Sequence, residues 1–249
     1  ERYLALMGRQ GVTPEMAKSA VRRSNTIIAA LMVAVGDADG VLCGLVGTYE
    51  THLERIKDVL GAAKGATTFG ALNALMLDNR TLFIADTYVN EDPSAQQLAE
   101  IATMAVAQVQ RFGIPPKVAF LSHSSFGSSK RGSAKKMRLA RDLFAAANPD
   151  VECDGELHGD AALSESVRQA YLPSTTLSGS ANILICPNLD SANILLNVLK
   201  MTSSDGVTVG PMLMGTSVPA HIMDPSSTVR RVVNMMTLAA ANACSKSKA

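Results

Sequence analysis

The sequence predicts an α/β protein built on a mainly parallel sheet, and three observations predict it. Short apolar runs alternate with amphipathic segments along the whole chain. Those runs are apolar on both faces, as strands are when helices cover each side of a sheet. The intervening segments repeat apolar residues at spacings of three and four, the period of a helix with one buried face.

Taken in order, residues 14–35 read as largely helical, with Thr13 as N-cap and Pro14 at the first helical position. DGVLCGL (39–45) is a short strand, and residues 50–60 form a helix. TLFIADTYV (81–89) is rich in β-formers and reads as a strand. Residues 94–112 form a helix on which Leu98, Ile101, Ala102, Ala105, Val109 and Phe112 make one stripe, and Gly113 ends it. VAFLSHSSFGSSKRG runs from a strand into a serine-rich loop, followed by a basic helix with Met137, Ala140, Phe144 and Ala147 on one face. A helix at 160–171 leads to the strand NILICP (182–187) and a helix carrying Ala192, Leu195, Leu196 and Leu199. VTVGPMLMG is strand then turn, and residues 228–243 close the chain as a helix with Val229, Val232, Val233 and Met236 inward. No internal repeat or low-complexity linker interrupts this series.

Composition narrows the function. A chain of 249 residues, 47% apolar, holds one large or two modest cores. A net charge of +1 and 4% aromatic residues provide neither the basic footprint nor the stacking platforms of a nucleic-acid binder. No run of 18 apolar residues is present, so no membrane span is expected. Cys43, Cys153, Cys186 and Cys244 are scattered, which reads as reduced thiols of a cytoplasmic protein. The opening ERYLALMGRQ lacks the apolar core of a signal peptide and an initiator Met, as though cut from something longer. The closing CSKSKA reads as a fraying tail.

Ligands of open α/β sheets sit beyond the carboxyl ends of the strands. That rule selects four loops, at residues 122–133, 86–93, 187–193 and 210–223. In the first, Ser122, Ser124, Ser125, Ser128 and Ser129 offer hydroxyls and Gly127 lets backbone approach a ligand. Lys130, Arg131 and the N-terminus of the next helix would favour an anion. Two readings stand: a phosphate cradle, or a polar connection capped by its own serines. Neither GxxxxGK[ST] nor GxGxxG occurs. CDGELHGDAA crowds Asp154, Glu156, His158 and Asp160 together, which reads as a loop ending in an N-cap rather than a metal site. His52, His123 and His221 lack zinc spacing, and no GxSxG elbow surrounds His123. TVRR offers Arg230 and Arg231 either to an anion or to solvent.

Six segments, in order along nearly the whole chain, resemble the phosphate acetyltransferase and butyryltransferase family. They are GDADGVLCG, LFIADTYVNEDPSAQQLAEIA, VAFLSHSSFGSS, DGELHGDAAL, ANILICPNLDSANILLNVLK and GPMLMG. GRQGVTPEMAKSAVRRSNT, PNLDSANI and TVRRVVNMMTLA resemble in particular the phosphotransacetylase-like C-terminal region of large bacterial NADP-dependent malic enzymes. The resemblance implies two α/β lobes with a cleft between them: residues 1–62 with 211–249, and residues 63–210 inserted. It implies that the first lobe begins before residue 1. It also implies a covalently linked malic-enzyme domain that holds NADP and a divalent metal. A homodimer or larger homo-oligomer is expected, joined through apolar helix faces.

The stand-alone transferases carry a Ser, an Arg and an Asp, associated with catalysis, before the closing helix. Asp224, Pro225 and Arg231 stand at those positions, and Glu54 and Arg55 stand where the family has a further arginine. A proline cannot anchor a phosphate, and an arginine cannot deprotonate the thiol of CoA. The expectation is therefore a regulatory domain that binds acetyl-CoA as an allosteric effector, with no catalytic residue, metal or cofactor of its own. Its expected contacts are Ser122, His123, Ser124, Ser125, Gly127, Ser128, Asn188, Asp190, Asn193, Gly210, Met214, His221, Arg230 and Arg231. One alternative is an active phosphate acetyltransferase in which Arg230 or His221 takes over the lost roles. Another is a module that only oligomerises the parent enzyme.

Overall fold

The computed structural model describes residues 1–203 and 207–246. Helices and strands alternate as α1 (Arg2–Met7), α2 (Pro14–Arg23), α3 (Asn25–Val35), β1 (Val41–Gly44), α4 (Tyr49–Leu60), β2 (Gly70–Leu77) and β3 (Arg80–Ala85). There follow α5 (Ala95–Arg111), β4 (Lys117–Leu121), α6 (Gly132–Ala147), β5 (Glu152–Leu157), α7 (Gly159–Leu163) and α8 (Glu165–Tyr171). The chain closes with β6 (Ile183–Ile185), α9 (Leu189–Thr202), β7 (Val207–Met214), β8 (Ala220–Met223) and α10 (Val229–Lys246). Residues 247–249 of the expected tail lie outside the described residues.

Serine caps set several boundaries. The single helix expected over 14–35 is two, because Ser24 adopts an extended backbone and its hydroxyl accepts from the Ile27 N–H, capping α3. Ser164 divides α7 from α8 in the same way. Ser94 and Gln97 form a reciprocal capping box at the start of α5.

The chain divides into two compact units, Glu1–Ala66 with Gly210–Ala249, and Thr67–Val209. In the first, β1 and β8 pair in parallel with Val41 opposite Ala220 and Gly44 opposite Met223. A Cβ on Gly44 would lie 2.1 Å from the Met223 carbonyl oxygen, so only glycine allows this approach at φ +100°. Tyr3, Met7, Ala17, Ile27, Ala30 and Val59 knit α1 to α4 together.

The second unit carries strands in the order β5-β4-β6-β3-β2, and β7, the sixth strand of that sheet, belongs to it only over residues 207–209. The β4–β5, β4–β6 and β3–β6 pairs are parallel, and β2–β3 is antiparallel. Alternate residues reach opposite faces. Phe83 and Phe120 meet Phe112 and Phe144, each at 5.7 Å, on the side of α5 and α6. Ile84, Ala119, Leu121 and Leu184 cluster with Ala161, Ala192 and Leu196 of α7 and α9. Helices thus cover both faces, as the doubly apolar strands require.

Four expectations need correction. Residues 87–89 leave the sheet because Asp86 gathers the N–H groups of Tyr88, Val89 and Asn90 into a turn. CDGEL is a strand rather than a loop, with its carboxylates buried and individually hydrogen-bonded, and the N-cap of α7 is His158. Residues 210–214 and 220–223 lie in β7 and β8 instead of one long strand-end loop. The closing helix buries Arg231 and Met235, leaving Val229, Val233 and Met236 exposed. Among the described residues no helix is long and apolar enough to cross a membrane.

Candidate functional site

The serine loop that follows β4 is organised around a buried carboxylate. Glu156 of β5 is fully buried and accepts from the Ser124 hydroxyl (2.8 Å), the Gly127 N–H (3.0 Å), and Arg138 Nε and Nη2 (2.9 Å each). Burial pushes this carboxyl up, but the bonds from Arg138, Ser124 and Gly127 outweigh it and hold Glu156 at about 2. The Ser129 N–H donates to Ser124 Oγ, the Ser125 N–H to Ser128 Oγ, and the His158 N–H to Ser125 Oγ. Phe126 is driven to φ +49°. Ser124, Ser125, Gly127 and Ser128 therefore shape the loop from within. Among the described residues Ser122 keeps a buried hydroxyl without a partner, and Nε2 of exposed His123 lies 3.3 Å from Ser129 Oγ.

Nearby positions on the same unit divide similarly. Asn188 caps α9 by accepting from the Ser191 N–H at 3.0 Å. Asn193 donates to the Thr87 carbonyl at 3.2 Å, whereas Asp190 stays exposed in the first turn of α9. The basic residues of α6 are largely committed: Lys136 pairs with Asp92 at 2.5 Å and Arg138 with Glu156. Lys130 and Arg131 remain exposed, before a helix whose start has no side-chain cap. Among the described residues no group of three His, Cys, Asp or Glu side chains could hold a metal.

In the other unit, Gly210 and Met214 lie within β7, and Arg230 is exposed. Buried Arg231 pairs with Asp224 at 2.9 Å and donates from Nε to the Gly210 carbonyl at 2.7 Å. The two residues that the resemblance sets against the family's Ser and Asp thus hold each other. His221 is buried, and burial pushes its imidazole down to about 4. Its Nδ1 accepts from the Leu213 N–H at 3.2 Å, which places the proton on Nε2, a buried donor without a partner.

This unit also contains a cavity of about 510 Å³ that sequence reasoning did not identify. Arg23, Ser24, Thr26, Cys43, His52 and Arg55 are among its lining residues, and no carboxylate lines it. Arg23 and Arg55 form no ion pair among the described residues. His52 ties the wall together, with Nδ1 2.7 Å from Thr26 Oγ1 and Nε2 2.8 Å from the Val46 carbonyl. Burial pushes the Cys43 thiol up to about 11, so the cavity offers no thiolate at neutral pH. The available signal was an arginine on either side of GDADGVLCG, but their approach depends on how α3 and α4 dock.

Residues 1–240 match the family described as Phosphate acetyl/butaryl transferase. The chain belongs to that family. It is 52% identical over 241 residues to an NADP-dependent malic enzyme of Salmonella typhimurium, covering 97% of this chain and 32% of the relative. An NAD-dependent malic enzyme of Rhizobium meliloti is 48% identical, covering 95% of this chain and 31% of the relative. The chain thus spans about a third of the length of these malic enzymes. A phosphotransacetylase of Streptococcus pyogenes superposes with a TM-score of 0.90 at 27% identity, covering 98% of this chain and 74% of that one. Membership accounts for the α/β fold with its mostly parallel strands.

Proposed function

We propose that this chain is a regulatory domain of a cytoplasmic malic enzyme, binding acetyl-CoA as an allosteric effector without transferring its acetyl group. The observation that carries the reading is the carboxylate-free cavity bounded by Arg23 and Arg55. CoA esters present phosphates, and guanidinium groups bind phosphate through paired, charge-assisted hydrogen bonds. The N-terminal end of α3 adds a favourable dipole. Arg230, exposed on the same unit, belongs to the same proposal as a contact. The malic-enzyme domain, its nicotinamide cofactor and its divalent metal would occupy the other two thirds of a longer protein, and the domain would contribute to a homo-oligomer.

Loss of transfer chemistry is part of the proposal, supported by the Asp224–Arg231 pair and the protonated Cys43. The alternative, an active phosphate acetyltransferase, requires a general base for the CoA thiol. His221 is unsuited, since its one basic nitrogen already accepts from backbone.

Isothermal calorimetry with acetyl-CoA tests the reading. The expected result is saturable binding that weakens at least tenfold in R23A/R55A, each arginine supplying about 1–2 kcal/mol of charge-assisted contact. No heat at millimolar acetyl-CoA overturns it, and phosphate-dependent release of CoA restores the transferase alternative.

A further inference from the structure

The segment between β1 and α4 joins backbone strain to exposed apolar side chains. Gly44, Leu45 and Gly47 have φ of +100°, +68° and +98°. Glycine adopts such angles freely, whereas leucine rarely does, and strained residues of this kind cluster at ligand clamps and active sites. Both ends of the segment are anchored. Gly44 lies against the Met223 backbone, and Thr48 caps α4 by accepting from the Thr51 N–H at 3.2 Å. Between these anchors Leu45 is 45% exposed and Val46 83% exposed, so two adjacent aliphatic side chains stand in water on a short turn.

Their position beside the cavity of Arg23 and Arg55 gives that exposure a use. Val46 and Gly47 line the cavity, and His52 holds the segment to its wall through the Val46 carbonyl. Several polar groups of the lining are engaged with one another: the Ser24 hydroxyl caps α3, Thr26 meets His52, and Thr51 meets Thr48. The lining therefore offers a ligand two kinds of surface. One is the pair of guanidinium groups, and the other is the aliphatic side chains of Ala29, Leu42 and Val46. A bare phosphate compound would use the first and leave Leu45 and Val46 in water. A ligand that runs from its phosphates into an uncharged arm would cover both, and removing that aliphatic surface from water favours binding.

We infer that Leu45 and Val46 form an apolar lip that grips the uncharged pantetheine arm and makes the cavity selective for CoA esters over phosphate compounds without that arm. The inference rests on the acetyl-CoA reading of this cavity and divides its recognition in two. Arg23 and Arg55 supply an attraction common to any such phosphate. The lip supplies discrimination, which is a difference of affinities between two ligands. Anchoring by Gly44, the Thr48 cap and His52 presents the two side chains in place, so little ordering is left to offset the contact.

Isothermal calorimetry of the 249-residue chain and of L45S/V46S tests this with two probes. Acetyl-CoA carries the arm, whereas adenosine 3′,5′-bisphosphate carries phosphates and no arm. Both substitutions fall at exposed positions, and circular dichroism checks that the fold is kept. L45S/V46S is expected to weaken acetyl-CoA about tenfold and to leave the bisphosphate within about twofold. Amide hydrogen exchange of residues 45–47 in the wild type is a second measurement that needs no variant. It is expected to slow with saturating acetyl-CoA and to stay unchanged with the bisphosphate. Equal weakening of both probes, or of neither, overturns the lip while the acetyl-CoA reading stands. Exchange that acetyl-CoA leaves unchanged also overturns it. Absence of acetyl-CoA binding in the wild type overturns the underlying reading of the cavity instead.

Discussion

At the scale of single residues, two buried titratable groups divide the acid response of this protein into separate windows. Glu156 has a folded value near 2 against an ordinary 4.5, so its stabilisation is complete above the ordinary value and lost as pH falls toward 2. His221 has a folded value near 4 against 6.5, because burial disfavours its charged form. Between pH 6.5 and 4 the unfolded chain takes up the proton first, so stability falls by up to about 3 kcal/mol as pH drops through that interval. Chemical denaturation measured every half pH unit should show that loss in the wild type and its absence in H221Q. E156Q should instead cost about 3 kcal/mol at pH 7, by leaving Arg138 without its carboxylate, and flatten the response below pH 4.5. Equal slopes for wild type and variant in the assigned window would sink either assignment. Sequence reasoning found the serines, but not why they are there. The residue that shapes their loop, Glu156, reads as one carboxylate among three until β5 draws it alongside Arg138.

At the scale of elements, the glycine of β1 provides the sharpest test of how closely two strands are joined. Gly44 and Gly36 both have positive φ, at +100° and +87°. Only at Gly44 would a Cβ collide with backbone, while nothing lies within 4 Å of the corresponding position on Gly36. G36A should cost only the left-handed strain of about 1 kcal/mol, whereas G44A should cost about 4 kcal/mol by forcing β1 away from β8. Urea denaturation of the two variants makes the comparison, and equal losses would mean that the approach of Gly44 to Met223 is readily relaxed. Elements with a strong local period, such as α5, were legible because capping box, stripe and terminating glycine agree. The β2 strand was missed, since GALNALML has no alternation when buried on both faces. Its signal is the two-residue turn Asp78-Asn79 before β3, a loop suited to an antiparallel hairpin. The face of α10 was misjudged for another reason. Arg231 is an arginine that turns inward, drawn by Asp224 and the Gly210 carbonyl, so the apolar pattern alone gave the wrong phase.

At the scale of the whole molecule, the match to about a third of the malic enzymes makes coupling the property that defines the proposed function. Binding alone does not make a regulator, because a ligand shifts an equilibrium only by its differential affinity for two states. Thermodynamic linkage supplies a test that does not depend on which way activity moves. If acetyl-CoA changes the affinity of the longer enzyme for malate, malate must change its affinity for acetyl-CoA by the same factor. Relatives of this chain include both NADP- and NAD-dependent malic enzymes, so on the proposed reading the same coupling should hold with either nucleotide. The expected outcome is a change of about fivefold or more in the acetyl-CoA dissociation constant on saturation with malate. R23A/R55A should lose acetyl-CoA sensitivity while malate turnover without effector stays intact, since those arginines line a cavity in this domain. Identical acetyl-CoA affinities with and without malate would reduce the domain to a passive ligand binder. Retained sensitivity in the double variant would instead move the effector site away from the cavity.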